Sequence, residues 1–129
     1  MKKTLYLATL CVLGALALTG CRSGMVKNVN DAAFTLSDKQ SEADVKKAII
    51  RSGTFLGWQM KGTRPGHIKA TLILRKHVAI VDITYNKKTY SIKYKDSTNL
   101  NYDGESIHSN YNNWIINLDR RIQVELANM

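Results

Sequence analysis

The stretch "HIKATLILRKHVAIVDITY", residues 67 to 85, decides the fold of this chain. Every second residue is apolar from Ile68 to Leu74 and again from Ala79 to Tyr85, which is the period of a half-buried β-strand. One face of the pair carries Ile68, Ala70, Leu72, Leu74, Ala79, Val81, Ile83 and Tyr85. Because only a short break separates the two segments, the sequence predicts an antiparallel hairpin with one buried face.

Two further strands flank this hairpin. The segment "TYSIKYK" (89–95) follows a short "NKK" turn and places Tyr90, Ile92 and Tyr94 on the inward face. The segment "LGWQMK" (56–61) precedes the loop "GTRPG" and carries Trp58 and Met60 on one face. Short connections between successive strands predict a four-stranded antiparallel meander.

One helix is predicted before the four strands in the chain, and one after them. The first begins near Ser37 or Ser41 and stops at Gly53, with Val45, Ala48, Ile49 and Ser52 at helical spacing. The last runs from about Ser109 to Leu126, capped by Ser109 or Asn110, with Tyr111, Ile115, Leu118 and Ile122 on its apolar face. The predicted fold class is α+β, a two-layer sandwich with two helices on one face of a four-stranded antiparallel meander (α-β-β-β-β-α).

This arrangement leaves the second face of the sheet uncovered. It is expected to be rich in Lys and Thr, as a solvated sheet face normally is, and lysines on edge strands also oppose aggregation. A small apolar island among cations departs from that pattern and suits a contact surface. The candidate contact residues are Lys69, Ile73, Arg75, Val78, Ile80, Lys93 and Lys95.

The N-terminus has the form of an export signal. Lys2 and Lys3 precede an apolar run from Leu5 to Leu18, which is too short to span a bilayer as a helix. The residues Leu18-Thr19-Gly20-Cys21 that follow resemble the lipobox of bacterial lipoproteins. The resemblance implies diacylglycerol on the Cys21 thiol, cleavage before Cys21 and acylation of the new amine. Plain secretion after Ala17 is the alternative, because residues 15 to 17 form an A-x-A triplet.

The same resemblance predicts the domain boundaries and the compartment. Residues 1–20 are the signal peptide, 21–36 the lipidated cysteine and a tether, and 37–129 a single α+β domain. In such lipoproteins an aspartate directly after the cysteine favours the inner membrane. Arg22 therefore points to the outer membrane, on its periplasmic side, with the inner membrane as the alternative.

The net charge of the domain indicates which class of partner it would attract. The chain has 19 Lys and Arg against 10 Asp and Glu, and losing Lys2 and Lys3 with the signal leaves a formal charge of +7. A basic domain held at a membrane would be attracted to anionic lipid or lipopolysaccharide. No nucleic-acid motif accompanies the charge, so nucleic acid is not an expected partner. Cys11 leaves with the signal and Cys21 carries lipid, so no disulfide is expected.

The sequence does not favour an enzyme. His67, His77 and His108 form no metal-binding array, and no nucleophile elbow, phosphate loop or C-x-x-C is present. No metal site and no cofactor are predicted. The alternative is a periplasmic enzyme, or an enzyme accessory, that uses one of these histidines.

Three segments of the body, "RPGHIKATLILRKH", "ITYNKKTYSIKYKDSTNLNY" and "IHSNYNNWI", resemble small envelope lipoproteins of proteobacteria. The resemblance offers no catalytic residue to carry over. It implies a lipid-anchored protein that faces the periplasm and acts as a non-catalytic binding or structural module. The expected partners are the membrane itself, through the N-terminal lipid, and anionic lipid, lipopolysaccharide or an envelope protein.

Overall fold

A computed structural model describes residues 23 to 129 of the chain. The signal segment, Ala17 and Cys21 lie outside the described residues. The strands are β1 (Ser23–Met25), β2 (Val29–Ala33), β3 (Gln59–Arg64), β4 (His67–Leu74), β5 (His77–Tyr85), β6 (Thr89–Thr98) and β7 (Ser106–His108). The helices are α1 (Glu42–Phe55) and α2 (Ser109–Ala127).

The main sheet has five strands in the order β2-β6-β5-β4-β3, and every neighbouring pair is antiparallel. The α+β class and the meander from β3 to β6 are confirmed. The prediction of a four-stranded sheet is wrong, because β2 adds a fifth strand along the outer edge of β6. This strand lies inside the segment that was expected to be a tether.

Strand β2 is weakly marked in the sequence for a physical reason. Of its five residues only Val29 is buried, and its pairing with β6 shifts register between Val29 and Ala32. Asp31 lies at this shift with a φ of 50°, so the alternation that marks a strand is interrupted. Backbone pairing, rather than an apolar face, holds β2 in place.

A second, two-stranded sheet fixes the start of the described chain. Strand β1 pairs antiparallel with β7, and Ser23 lies opposite His108. The Asn112 side chain fastens the same segment, because its amide donates to the Met25 carbonyl at 2.9 Å and its oxygen accepts from the Lys27 N–H at 2.9 Å. The segment expected to be a tether is therefore bonded to the body from Ser23 onward.

Helix α1 begins at one of the two predicted positions but ends later than predicted. Helix α1 has Ser41 as N-cap in a capping box with Asp44, and hydrogen bonds from Ser41 lower the pKa of the Asp44 carboxyl. The predicted stop at Gly53 is wrong, because α1 continues to Phe55 and the chain turns at Gly57, whose φ is 90°. Gly53 instead allows close approach of β3, since a Cβ there would lie 2.2 Å from the Met60 sulfur.

Helix α2 closely matches its predicted range, although its N-cap is His108 rather than Ser109 or Asn110. One core joins the inward face of the sheet to both helices. It contains the predicted inward residues of β4 and β5 with the exception of Leu74, together with Val45, Ile49, Tyr111, Ile115, Leu118 and Ile122. Leu74 is 48% exposed at the end of β4, so its assignment to the core is wrong.

Candidate functional site: the open sheet face

Strand register gathers most of the predicted basic residues into one row across the open sheet face. Lys69 lies opposite Lys61 on one side and Asp82 on the other, and Asp82 in turn lies opposite Lys93. Lys95 joins them, because its Nζ lies 3.4 Å from the Asp82 carboxylate. We call these five residues the lysine row. The row holds four lysines and one aspartate, which gives it a local formal charge of +3.

Strand β6 is irregular at Lys95. The pairing of β5 with β6 shifts register between Ile80 and Val81, so that Tyr94 and Asp96 flank one extra residue, Lys95. Such a bulge redirects a side chain without ending the strand. The side chains of Lys95 and Asp82 stay about half exposed, at 50% and 47%, so the row is accessible to solvent and to a ligand.

The predicted apolar residues lie apart from the lysine row. Ile73 pairs with Val78 beside the β4–β5 turn, and Ile80 lies one row nearer the centre, opposite Thr71 and Asp96. Ile73 is 56% exposed, whereas Val78 and Ile80 are half buried. Arg75 lies in the turn itself. The structure therefore divides the predicted contact surface into a charged centre and an apolar end.

The far end of the open face is partly covered by β2. Ser91 lies two residues before Lys93 and so has the parity of the open face, but it is only 5% exposed, because Asp31 lies over it. The Asp31 N–H donates to the Ser91 hydroxyl at 2.9 Å, and that hydroxyl donates to the Asp31 carboxylate at 3.4 Å. His67 lines the same cleft of 330 Å³. These two hydrogen bonds between Asp31 and Ser91 stabilise the register shift of β2.

The three histidines are not gathered into one site. His67 begins β4 and His77 follows its end, so the two are separated by the length of the strand, about 23 Å for eight residues. The Nδ1 atom of His77 is hydrogen-bonded to the Asn99 carbonyl at 2.8 Å, and that of His108 accepts from the Asn110 N–H at 3.1 Å. Within residues 23 to 129, no three His, Cys, Asp or Glu side chains are grouped as metal ligands.

A cluster of tyrosines on the helix-covered side of the sheet was not anticipated as a feature of its own. The ring of Tyr94 lies 4.2 Å from that of Tyr102 and 5.6 Å from that of Tyr111, between ring centres. Tyr111 is buried, as predicted, and burial raises the pKa of its hydroxyl. A polar cleft of 440 Å³ lies alongside, lined by Tyr94, Lys95, Asp96, Ser97, Asn99, Leu100, Asn101 and Tyr102.

The sequence signal for this cluster lies in "STNLNY". Asn99 and Asn101 both have positive φ angles, of 59° and 54°, a conformation that asparagine tolerates better than most residues. They turn the chain so that Leu100 is buried and Tyr102 lies against Tyr94. Repeated asparagines in a loop could have indicated the turn, but not which ring it would bring into contact.

Comparison of the chain with protein-family models, with curated proteins and with solved structures gave no match. Neither α1 nor α2 combines the length and the apolar character that a membrane-spanning helix requires.

Proposed function

We propose that this protein is a lipid-anchored envelope protein on the periplasmic side of the outer membrane, whose domain is a non-catalytic binding module. The lysine row on the open sheet face is the surface that binds an anionic ligand. One observation carries this proposal: the β-register places Lys69, Lys93 and Lys95 around the Asp82 carboxylate, with Lys61 opposite Lys69, on the exposed sheet face.

Asp82 explains how such a row can exist in a stable sheet. Like charges directly opposite each other on neighbouring strands are destabilising, whereas opposite charges stabilise. Asp82 separates Lys69 from Lys93 and also binds Lys95, and these attractions offset the repulsion that remains between Lys61 and Lys69, which lie directly opposite each other. Each exposed lysine near an anionic surface contributes about 1 kcal/mol of attraction.

The anchor is supported by the order of features at the N-terminus. A positive start, an apolar run and Leu18-Thr19-Gly20-Cys21 are followed by strand β1, which begins two residues after Cys21. Arg22 supports the outer membrane in the same way, by resemblance to sorted lipoproteins.

Mass spectrometry of the mature N-terminus tests the anchor. We expect a triacylated Cys21 in the native protein, and we expect Cys21→Ala to remain an unlipidated precursor without firm membrane association. An unmodified N-terminal peptide that begins at Leu18 would show plain secretion after Ala17 and would refute the anchor.

Ligand capture tests the binding surface. A chain beginning at Arg22 keeps every helix and strand described above, and we would present it to anionic vesicles, to lipopolysaccharide and to an envelope extract. Lys69→Glu with Lys93→Glu should abolish binding to whichever of the three carries the ligand, and raised salt should weaken it, because exposed charges are screened over about 8 Å. Unchanged binding by this variant would refute the lysine row as the site.

Two further variants separate the classes of function. Ile80→Glu places a charge on the same face outside the row, and loss of a salt-resistant protein partner in this variant would indicate an apolar contact instead. Single His→Ala variants at positions 67, 77 and 108 should retain the cellular phenotype of the native protein. Loss of that phenotype in a normally folded His→Ala variant would favour the enzyme alternative.

A further inference from the structure

The turn between β4 and β5 carries apolar side chains on both sides of the sheet. Ile73 points to the open face and is 56% exposed, whereas Leu74 belongs to the helix-covered side and is still 48% exposed. Arg75 and Lys76 form the turn and are both exposed. We call these four residues the hairpin tip. Two exposed aliphatic side chains and two cations thus meet at one end of the domain.

The backbone at Arg75 has an unusual conformation for a residue other than glycine. Its φ is 56°, in the left-handed region where glycine is normally favoured and where other residues carry a conformational cost. Strained residues of this kind concentrate at functional positions. The turn therefore keeps a cationic side chain at a position where glycine would be less strained.

The hairpin tip lies at the end of the domain from which the chain leads back to Cys21. Asn99 joins the tip to the next loop, because its amide donates to the Lys76 carbonyl at 2.8 Å. The neighbouring Leu100 carbonyl accepts from the His108 N–H at 2.8 Å, and His108 lies opposite Ser23. Steps of about 4–6 Å between bonded or adjacent residues place Ser23 within about 20 Å of the tip.

We propose that the hairpin tip contacts the anionic phospholipid surface that the N-terminal lipid enters. The inference rests on the proposed anchor, because Cys21 is two residues from Ser23 and can lie at most about 7 Å farther away. Ile73 and Leu74 enter the boundary between headgroups and acyl chains, while Arg75 and Lys76 bind lipid phosphates. Aliphatic side chains flanked by cations are the composition of segments that lie in a membrane interface.

This contact would orient the domain. With the tip on the membrane, strand β4 rises from the surface, and Lys69 lies four residues above Ile73, which corresponds to about 13 Å. The lysine row would then stand above the headgroup layer and remain available to its own ligand. The tip alone buries little area, so it acts together with the lipid as one of two membrane signals.

A fluorescent probe on a tethered protein tests the contact directly. The chain from Arg22 onward contains no cysteine, so Leu74→Cys can be labelled alone with an environment-sensitive nitrobenzoxadiazole dye. Val124→Cys is the matched control, because Val124 is also 48% exposed but lies about 22 Å along α2 from Ser109. An N-terminal histidine tag would hold each protein on vesicles of phosphatidylcholine and phosphatidylglycerol that contain a nickel-chelating lipid.

We expect the dye at position 74 to shift to the blue on these vesicles and to be quenched by brominated acyl chains, while the dye at position 124 reports water. Identical, water-like spectra at both positions would overturn the proposal. Without the tag, Ile73→Ser with Leu74→Ser should lower vesicle partitioning at least about tenfold, and Val124→Ser should leave it unchanged. Equal partitioning of the two variants would also contradict the contact.

Because the tag replaces the lipid, these results do not depend on acylation of Cys21 in the cell. Failure of the mass-spectrometric test would remove the anchor and leave the probe result standing. A shift at position 74 that survives Lys69→Glu with Lys93→Glu would likewise separate the hairpin tip from the lysine row.

Discussion

Replacing Asp82 by asparagine should have opposite effects on stability and on binding. Asp82 lies opposite Lys69 and Lys93 and binds Lys95 at 3.4 Å. Exposed pairs of this kind contribute about 0.2–1 kcal/mol each, so losing all three should lower the free energy of unfolding by about 0.6–3 kcal/mol. For a domain of this size, that is a fall of roughly 2–18 °C in Tm.

The same substitution should strengthen binding to anionic ligands. It raises the local charge of the lysine row by one, which is worth up to about 1 kcal/mol near an anionic surface and so about a fivefold gain in affinity. Calorimetry would measure the Tm, and vesicle co-sedimentation at two salt concentrations would measure the affinity of the chain that begins at Arg22.

Asp38→Asn is the control, because Asp38 is exposed in the turn before α1 and its replacement changes the net charge by the same amount. If net charge alone attracts the ligand, both variants gain equally. If the row is the site, Asp82→Asn gains more and Asp38→Asn keeps its native Tm. Equal gains, or weaker binding by Asp82→Asn, would refute the assignment of the site.

Two further predictions concern the scaffold. Gly66→Ala should lower the free energy of unfolding in urea by about 1–2 kcal/mol, because Gly66 has a φ of 77° and a Cβ there would lie 3.0 Å from the Tyr85 carbonyl. Gly104→Ala is the control for the backbone cost alone, because Gly104 has a φ of 103° and a Cβ there would have no neighbour within 4 Å. A Gly66→Ala variant that is more stable than the native protein would contradict the close approach to Tyr85. Burial and the hydrogen bond to Asp119 raise the pKa of Tyr90 from 10.0, so the folded state keeps this hydroxyl neutral and stability should fall as pH rises above 10.0. Tyr90→Phe should reduce that alkaline loss in pH-dependent denaturation while costing about 1–2 kcal/mol at neutral pH, and an unchanged alkaline slope would contradict the assignment.

Hydrophobic periodicity was sufficient to predict the elements that have one buried face and one exposed face. Burial alternates through β4 as far as Leu72 and through β5 from Val78, and α2 presents one apolar stripe, so their ranges and most of their inward residues follow from the sequence. Strand β2 has one buried residue and a register shift at Asp31, so its pairing with β6 has no comparable sequence pattern. Leu74 has the right parity for the core but lies beside the turn, where it remains exposed.

The candidate site could likewise be predicted only in part from the sequence. Alternation assigns Lys69 and Lys93 to one face, but only the register shows that Asp82 lies between them. Alternation also assigns Lys95 to this face, but its contact with Asp82 and the bulge beside it depend on pairing between strands, which no local pattern records. Ser91 has the parity of the same face, and nothing in its own strand shows that β2 will cover it.

The pairing of β1 with β7 has a consequence for the order in which the chain matures. Ser23 is synthesised early, yet its partner His108 and the Asn112 side chain that fastens this segment come about 85 residues later. Until those residues emerge, β1 has no surface to pair with, and closing so long a loop carries an entropic cost. Ser23 therefore adjoins an open chain for most of synthesis and joins a closed domain only at its end. On the proposed anchoring, lipid would be attached two residues from a strand that is among the last to find its partner.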